Sequence, residues 1–208
     1  MPDPRIPLEP EKTYHIWTHA NGSDNLFLSD ENYRYFLEKY IHHVYPVVET
    51  FAYCLMPNHL HLMVQVKTEN ILLAYLQQKK PERNLQGFEN LEGFVSQQFS
   101  NCFNAYTKAY NIRHGRKGGL FIPRFKRKPI ESDSYFTSLI AYIHNNPIHH
   151  GFVSDLNDWP HSSWHSYLLD KPTKLAKKEG LDWFGGKHEL MKFHQQVEKK
   201  DVMLEFED

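Results

Sequence analysis

The sequence predicts an α+β fold in which helices pack on one face of a ferredoxin-like antiparallel sheet. Runs rich in β-branched and aromatic residues alternate with helical patterns in the order β-α-β-β-α-β-α. Two of the predicted strands follow one another across Pro57-Asn58, as in a hairpin. The 40% of apolar residues in a chain of 208 is enough to build one sizeable core. We expect the other face of the sheet to be left for chemistry.

The first half of the chain supplies three of the predicted strands. Residues 13–20 alternate their side chains between two faces, as a strand does. Ser29 is a candidate N-cap for a helix that Pro46 ends. Residues 47–55 and 59–66 have the composition of the two hairpin strands.

The second half supplies helices and a last strand. Asn70 is a candidate cap for a short helix, which a polar insertion follows over residues 79–90. Apolar residues at helical spacing predict a long helix that ends near Asn111. Residues 120–130 predict a strand that Pro123 confines to the edge of the sheet.

Two helices are predicted beyond this edge strand. The first starts at Ser132 or Asp133, carries apolar residues at helical spacing, and is ended by Pro147. The second is mainly charged and lies near residues 186–200. The segment between them is rich in tryptophan and irregular.

Positive charge is concentrated in one segment of a chain whose net charge is only −1. Residues 113–128 contain no acidic residue. Such a local strip is an electrostatic signature for a polyanion, although a solvated surface loop has the same composition. The candidate residues for binding such a polyanion, DNA included, are Arg113, Arg116, Lys117, Arg124, Lys126, Arg127 and Lys128.

Composition also limits where the protein is expected to act. No apolar run approaches the roughly 20 residues that cross a bilayer, and residues 1–12 lack the apolar stretch of a secretory signal. We therefore expect a soluble, cytoplasmic protein with no membrane partner. Cys54 and Cys102 match no metal or redox spacing, which favours reduced structural thiols.

Two histidines interrupt the second hairpin strand. Because side chains alternate along a strand, His59 and His61 share one face while Leu60 and Leu62 share the other. The leucines are expected to pack against helices. The two imidazoles are then close enough to bind one divalent ion, although such a pair also occurs simply as a polar face.

The predicted helix that Pro147 ends carries two further candidates. Tyr142 and Asn146 are four residues apart, so that a phenol and an amide lie side by side on one helical face. Asn146 is a candidate third ligand and Tyr142 a candidate nucleophile. His144 lies on another face of the helix, where a structural role, a phosphate contact and a catalytic role all stay open.

Four segments in this order resemble a known family. They are MPNHLHLMV, GLFIPRFKRKP, YIHNNPIHHGFV and WPHSSWHSY. Together they are similar to the HUH single-tyrosine transposases, and in particular to the REP-associated tyrosine transposases. HUH denotes two histidines around a bulky hydrophobic residue, here His59-Leu60-His61. The resemblance covers about residues 12–170. It implies a catalytic domain over residues 1–170 and a C-terminal extension over residues 171–208.

The resemblance also implies an activity. It predicts a metal-dependent nickase and strand transferase that acts on single-stranded DNA beside an imperfect hairpin. Tyr142 would attack the DNA and form a 5′-phosphotyrosine, while His59, His61 and Asn146 would bind Mg²⁺ or Mn²⁺. Many relatives carry glutamine in place of Asn146, which leaves direct coordination by its shorter side chain open.

Assembly and two other functions stay open from the sequence. Some relatives are dimers that exchange the tyrosine helix, whereas the REP-associated branch is expected to be monomeric, so a monomer and a homodimer both remain. A non-mobilising DNA-binding regulator would keep the same fold. A zinc metallohydrolase would also use His59 and His61, although no further ligand at a typical spacing follows them.

Overall fold

A four-stranded antiparallel sheet forms the centre of the computed structural model, which describes residues 6–79 and 91–197. The strands are β1 (Thr13–His19), β2 (Val48–Leu55), β3 (His59–Val66) and β4 (Lys126–Pro129). Their order across the sheet is β2-β3-β1-β4, and each neighbouring pair is antiparallel. The predicted hairpin of β2 and β3 is confirmed. The last strand lies at the edge of the sheet as predicted, but it is shorter than residues 120–130 and begins at Lys126, after Pro123.

Seven α-helices lie in the described ranges. They are α1 (Asp30–His43), α2 (Glu69–Lys79), α3 (Leu91–His114), α4 (Asp133–His149), α5 (Trp164–Leu168), α6 (Lys177–Phe184) and α7 (Lys187–Val197). The predicted α+β order is confirmed, with α2 as the short helix after the hairpin. Residues 80–90, which make up nearly all of the predicted polar insertion, lie outside the described residues. So does the end of the predicted helix near 186–200, since the described part of α7 stops at Val197.

The main hydrophobic core lies between the sheet and the helices α1 and α3. Ile16 of β1 and Leu60, Leu62 and Val64 of β3 point to this side, as strand alternation predicts. Phe36 of α1 is fully buried among them. Because each large apolar side chain stabilises the fold by about 1.5–3 kcal/mol when fully buried, this face fixes the register of the central strands.

Helix α4 lies across the opposite face of the sheet. Its residues Ile140 and Ile143 pack with Phe51 of β2 and Met63 of β3 in a second hydrophobic cluster. The helix starts at the predicted cap, where Ser132 Oγ accepts a hydrogen bond from the Tyr135 backbone N–H. The face expected to be left for chemistry is therefore partly covered, and its cover is the helix that carries Tyr142.

The three short helices at the C-terminal end pack behind α4. His144 of α4 is hydrogen-bonded to His194 of α7, and the rings of Phe136 and Trp183 stack with centroids 4.6 Å apart. Ala176 also donates a backbone hydrogen bond to Thr50 of β2. The division into domains at residue 170 stays a prediction. Over residues 6–79 and 91–197, no helix combines the length and apolar character that a membrane span needs.

Candidate active site

Strand β3 places two imidazoles on the face of the sheet that α4 covers. The rings of His59 and His61 lie edge to face with their centroids 5.2 Å apart. Both side chains are buried, with exposed fractions of 3% and 4%. Sequence alternation alone predicts this shared face, and the structure shows it.

Helix α4 brings the Tyr142 phenol to the same place. The centroid of its ring is 5.5 Å from that of His61 and 6.0 Å from that of His15 of β1. Only 2% of Tyr142 is exposed. One chain therefore brings the predicted nucleophile and the predicted ligands together without a second subunit.

Asn146, one helical turn after Tyr142, reaches His59. Its Oδ1 is 3.1 Å from His59 Nε2, while Asn58 Oδ1 is 2.8 Å from His59 Nδ1. A neutral imidazole has one N–H, so it can donate to only one of these two oxygens. If Nδ1 donates to Asn58, the lone pair of Nε2 faces an amide oxygen, which is an arrangement that a cation between the two atoms would satisfy.

Burial keeps these imidazoles neutral. It lowers the pKa of His59 to about 4 and that of His61 well below its ordinary value. Neighbouring histidines lower both values further. Neutral imidazole nitrogens are the form that binds a metal ion, whereas at pH 7 these side chains carry no positive charge with which to hold a phosphate.

The donors present fit a hard divalent ion only when an amide is counted among them. No group of three His, Cys, Asp or Glu side chains that could hold a metal occurs in the described ranges. The two imidazoles with the Asn146 oxygen make a mixed set of three nitrogen and oxygen donors, fewer than the four protein ligands of a structural zinc site. Asn146 Nδ2 is buried and has no hydrogen-bond partner among the described residues, whereas Oδ1 of the same amide lies next to His59.

Three further histidines surround the pair and are not among the predicted site residues. His15 is hydrogen-bonded to His61, and the rings of His19 and His150 lie 5.0 Å and 4.8 Å from that of His59. The alternation of residues 13–20 places His15 and His19 on one face of β1. It does not show that this face meets His61, because that depends on the pairing of β1 with β3.

The structure separates the predicted basic residues. Lys126 and Lys128 lie on the face of β4 next to the site, where they pair with Trp17 and His15 of β1. Arg127 points to the opposite face, where it is 7% exposed, donates to Ser96 Oγ and covers the Phe125 ring.

The remaining four cations lie before β4. Arg113 forms an ion pair with Glu31, and Arg116 with Asp24. Lys117 and Arg124 are exposed. The segment is therefore not one continuous basic surface, and Lys126 and Lys128 are its members beside the histidines.

His144 points away from the site into the contact between α4 and α7. It is fully buried, its Nε2 is 2.7 Å from Ser163 Oγ and its Nδ1 is 2.9 Å from His194 Nε2. Of the three roles left open by the sequence, these buried contacts with Ser163 and His194 correspond to the structural one.

Comparison with known proteins identifies relatives of the chain. No family model matches it. The chain is 32% identical over 123 residues to a Haemophilus influenzae protein named "Putative REP-associated tyrosine transposase", and 31% identical over 67 residues to an Escherichia coli REP-associated tyrosine transposase. These matches cover 56% and 32% of this chain. They span 59% and 40% of the two relatives, less than two thirds of either.

A solved structure shares the fold. It is a REP-associated tyrosine transposase bound to a REP hairpin, with a TM-score of 0.61 and 18% sequence identity over 85% of this chain and 92% of that chain. The resemblance seen in the sequence motifs is confirmed: the chain is a relative of curated REP-associated tyrosine transposases and has the fold of a solved one.

Proposed function

We propose that the protein cleaves and rejoins single-stranded DNA beside a hairpin, with Tyr142 as the nucleophile. The observation that carries the proposal is the position of the buried Tyr142 ring, 5.5 Å from the buried His61 ring of the same chain. The names of the relatives support the same chemistry, since both are called tyrosine transposases.

The reaction is a phosphoryl transfer that conserves bond energy. The Tyr142 oxygen bonds to phosphorus as the bond from phosphorus to the 3′-oxygen breaks, the phenol loses its proton, and the leaving oxygen gains one. The products are a 5′-phosphotyrosine and a free 3′-OH. A second 3′-OH can reverse the step, so no nucleotide cofactor is required.

His59, His61 and Asn146 are the residues that would hold Mg²⁺ or Mn²⁺. The ion, when bound, polarises the phosphate and offsets the charge that develops on its oxygens. This assistance matters because a phenol with an ordinary pKa near 10 is a weak nucleophile at neutral pH. The chain itself orients the Tyr142 ring between His15 and His61 and excludes water by burying it.

Lys126 and Lys128 are the cations that we assign to the single strand close to the site. They project from the same face of β4 as the site, and each lies above an aromatic ring, that of Trp17 or of Tyr135. Lys117 and Arg124 are exposed and remain available to the hairpin. Arg127 is assigned to packing because its side chain is buried on the opposite face.

A covalent-adduct assay tests the proposal. The full chain is incubated with Mn²⁺ and an end-labelled oligonucleotide that joins a hairpin to a single strand, and an adduct stable in SDS is expected. Tyr142→Phe is expected to abolish the adduct. Tyr35→Phe, on α1 at the other face of the sheet, is the matched control and retains it.

The outcomes separate the candidate functions. An adduct that persists in Tyr142→Phe would show that another residue is the nucleophile. Binding of the hairpin with no adduct in the native protein would instead favour a DNA-binding regulator. Stoichiometric zinc in the purified protein would favour a metallohydrolase.

A further inference from the structure

His15 forms a buried contact with His61 that the proposed function does not use. The residue lies on β1, opposite Met63 of β3, and only 1% of it is exposed. Its Nε2 is 2.9 Å from His61 Nδ1. This distance is a hydrogen bond between two imidazoles, of which one must donate and the other accept.

Only one direction of this hydrogen bond suits a metal ligand. If His15 Nε2 donates, His61 Nδ1 accepts and the proton of His61 is on Nε2. If His61 Nδ1 donates, the His61 proton is fixed on Nδ1 and Nε2 keeps its lone pair. Both rings are neutral because burial lowers the pKa of each, so His15 has a free lone pair with which to accept.

The surroundings of His15 hold its ring in place. Trp17, two residues along the strand, stacks on it with a centroid distance of 4.5 Å and an interplanar angle of 24°. The Tyr142 ring contacts it edge-on from the side of α4. An acceptor fixed in this way limits the rotation of the His61 ring as well as the position of its proton.

His59 has a comparable partner in the residue that precedes it. Its Nδ1 is 2.8 Å from Asn58 Oδ1, an amide oxygen that can only accept. The Nδ1 of each of the two imidazoles therefore lies next to an atom that can accept a hydrogen bond from it. In this arrangement Nε2 is the nitrogen without a proton on both rings, and on His59 it faces Asn146 Oδ1.

We propose that His15 is a positioning residue. Its Nε2 accepts a hydrogen bond from the Nδ1–H of His61 and so directs the His61 Nε2 lone pair toward the divalent ion. The inference rests on the proposed function, in which His61 is a ligand. In this role His15 acts through His61 and does not itself bind the ion or the DNA.

Two substitutions at His15 separate hydrogen bonding from packing. His15→Gln keeps an oxygen acceptor near the position of Nε2, whereas His15→Met has a similar length and no comparable acceptor. Thr18→Val is the control on the same strand. Thr18 is buried on the opposite face, paired with Leu60, and its hydroxyl has no hydrogen-bond partner in the described part of the chain.

The first measurement is the affinity of the full chain for Mn²⁺, determined by titration calorimetry without DNA. His15→Met is expected to weaken binding by about 10–100-fold, as is typical when the partner of a ligand is removed. His15→Gln is expected to restore most of the affinity, and Thr18→Val to leave it unchanged. Equal affinities of His15→Met and the native protein, or equal losses in both His15 variants, would overturn the inference.

The second measurement is the tautomer of His61 in metal-free protein, read from the ¹⁵N shifts of its ring. The native protein and His15→Gln are expected to carry the proton on Nδ1, whereas His15→Met is expected to lose this preference. A proton on Nε2 of His61 in the native protein would refute the inference whatever the fold stability of the variants.

The adduct assay distinguishes the failure of this inference from that of the proposed function. If Tyr142→Phe abolishes the adduct while His15→Met binds Mn²⁺ as the native protein does, the inference fails and the function stands. If the native protein binds no Mn²⁺ and forms no adduct, both fail.

Discussion

Buried histidines are the unusual side chains of this protein, and each has a defined partner. In the contact between α4 and α7, His194 Nδ1 donates to the Leu190 carbonyl oxygen, which leaves its Nε2 to accept from His144. The second nitrogen of His144 then accepts from Ser163 Oγ. This set of hydrogen bonds needs every imidazole to be neutral, because each ring uses one lone pair as an acceptor.

Protonation of His194 is expected to destabilise the fold in mildly acidic solution. Burial lowers its pKa to about 4 in the folded chain, against about 6.5 when it is unfolded. Between these values the unfolded chain binds a proton that the folded chain does not. The free energy of unfolding is therefore highest above pH 6.5 and falls as the pH decreases toward 4.

Urea unfolding between pH 4.5 and 6.5 measures this effect. His194→Gln keeps an acceptor for His144 and removes the titrating group, so it is expected to reduce the slope by up to about 1.4 kcal/mol per pH unit. His188→Gln, which changes an exposed histidine of the same helix, is the control. An unchanged slope in His194→Gln would contradict the prediction.

At the scale of elements, the edge strand β4 divides its charges between two faces. Lys126 and Lys128 lie beside the site, while Arg127 between them packs with Phe125 and Ser96 of the other face. Strand alternation accounts for this division. The sequence shows a run of cations, and its periodicity could have placed Arg127 on the face opposite to Lys126 and Lys128.

Removing both lysines is expected to weaken DNA binding and its dependence on salt. Each phosphate contact contributes about 0.7–0.9 to the slope of log affinity against log salt concentration. Lys126→Gln combined with Lys128→Gln should therefore reduce the slope by about 1.4–1.8 in a fluorescence anisotropy titration of a labelled hairpin. Lys39→Gln on α1 is the control, and a double variant with the native slope would exclude these lysines from the interface.

The order of elements and the faces of the strands could be predicted because both depend on local patterns. The alternation around His59 and His61 and the four-residue spacing of Tyr142 and Asn146 are such patterns. The contact of His15 with His61 could not be predicted, because it depends on the register between β1 and β3, whose residues are far apart in sequence. The cover that α4 gives to the second face likewise arises from tertiary packing.

At the scale of the whole molecule, all parts of the candidate site belong to one chain. Tyr142 of α4 contacts the rings of His15 and His61, and Asn146 contacts His59. The same helix is held from behind by α7 through His144. Exchange of α4 between two subunits is therefore not needed to complete the site.

Mixing two inactive variants tests this assembly. Tyr142→Phe supplies intact histidines, and His59→Ala supplies an intact tyrosine. Because a complete site needs both in one chain, the mixture is expected to form no more adduct than either variant alone. Recovery of adduct to a substantial fraction of the native level would show that subunits exchange α4.

The central position of β1 gives the chain an intolerance to length changes. Tyr14 and Ile16 face the main core, and His15 and Trp17 face the site. Losing a single residue within this strand would move every side chain after the deletion to the opposite face, so that imidazoles would enter the hydrophobic core and aliphatic groups would face the candidate site. Deletion of one residue there should thus yield insoluble protein rather than a folded but inactive one.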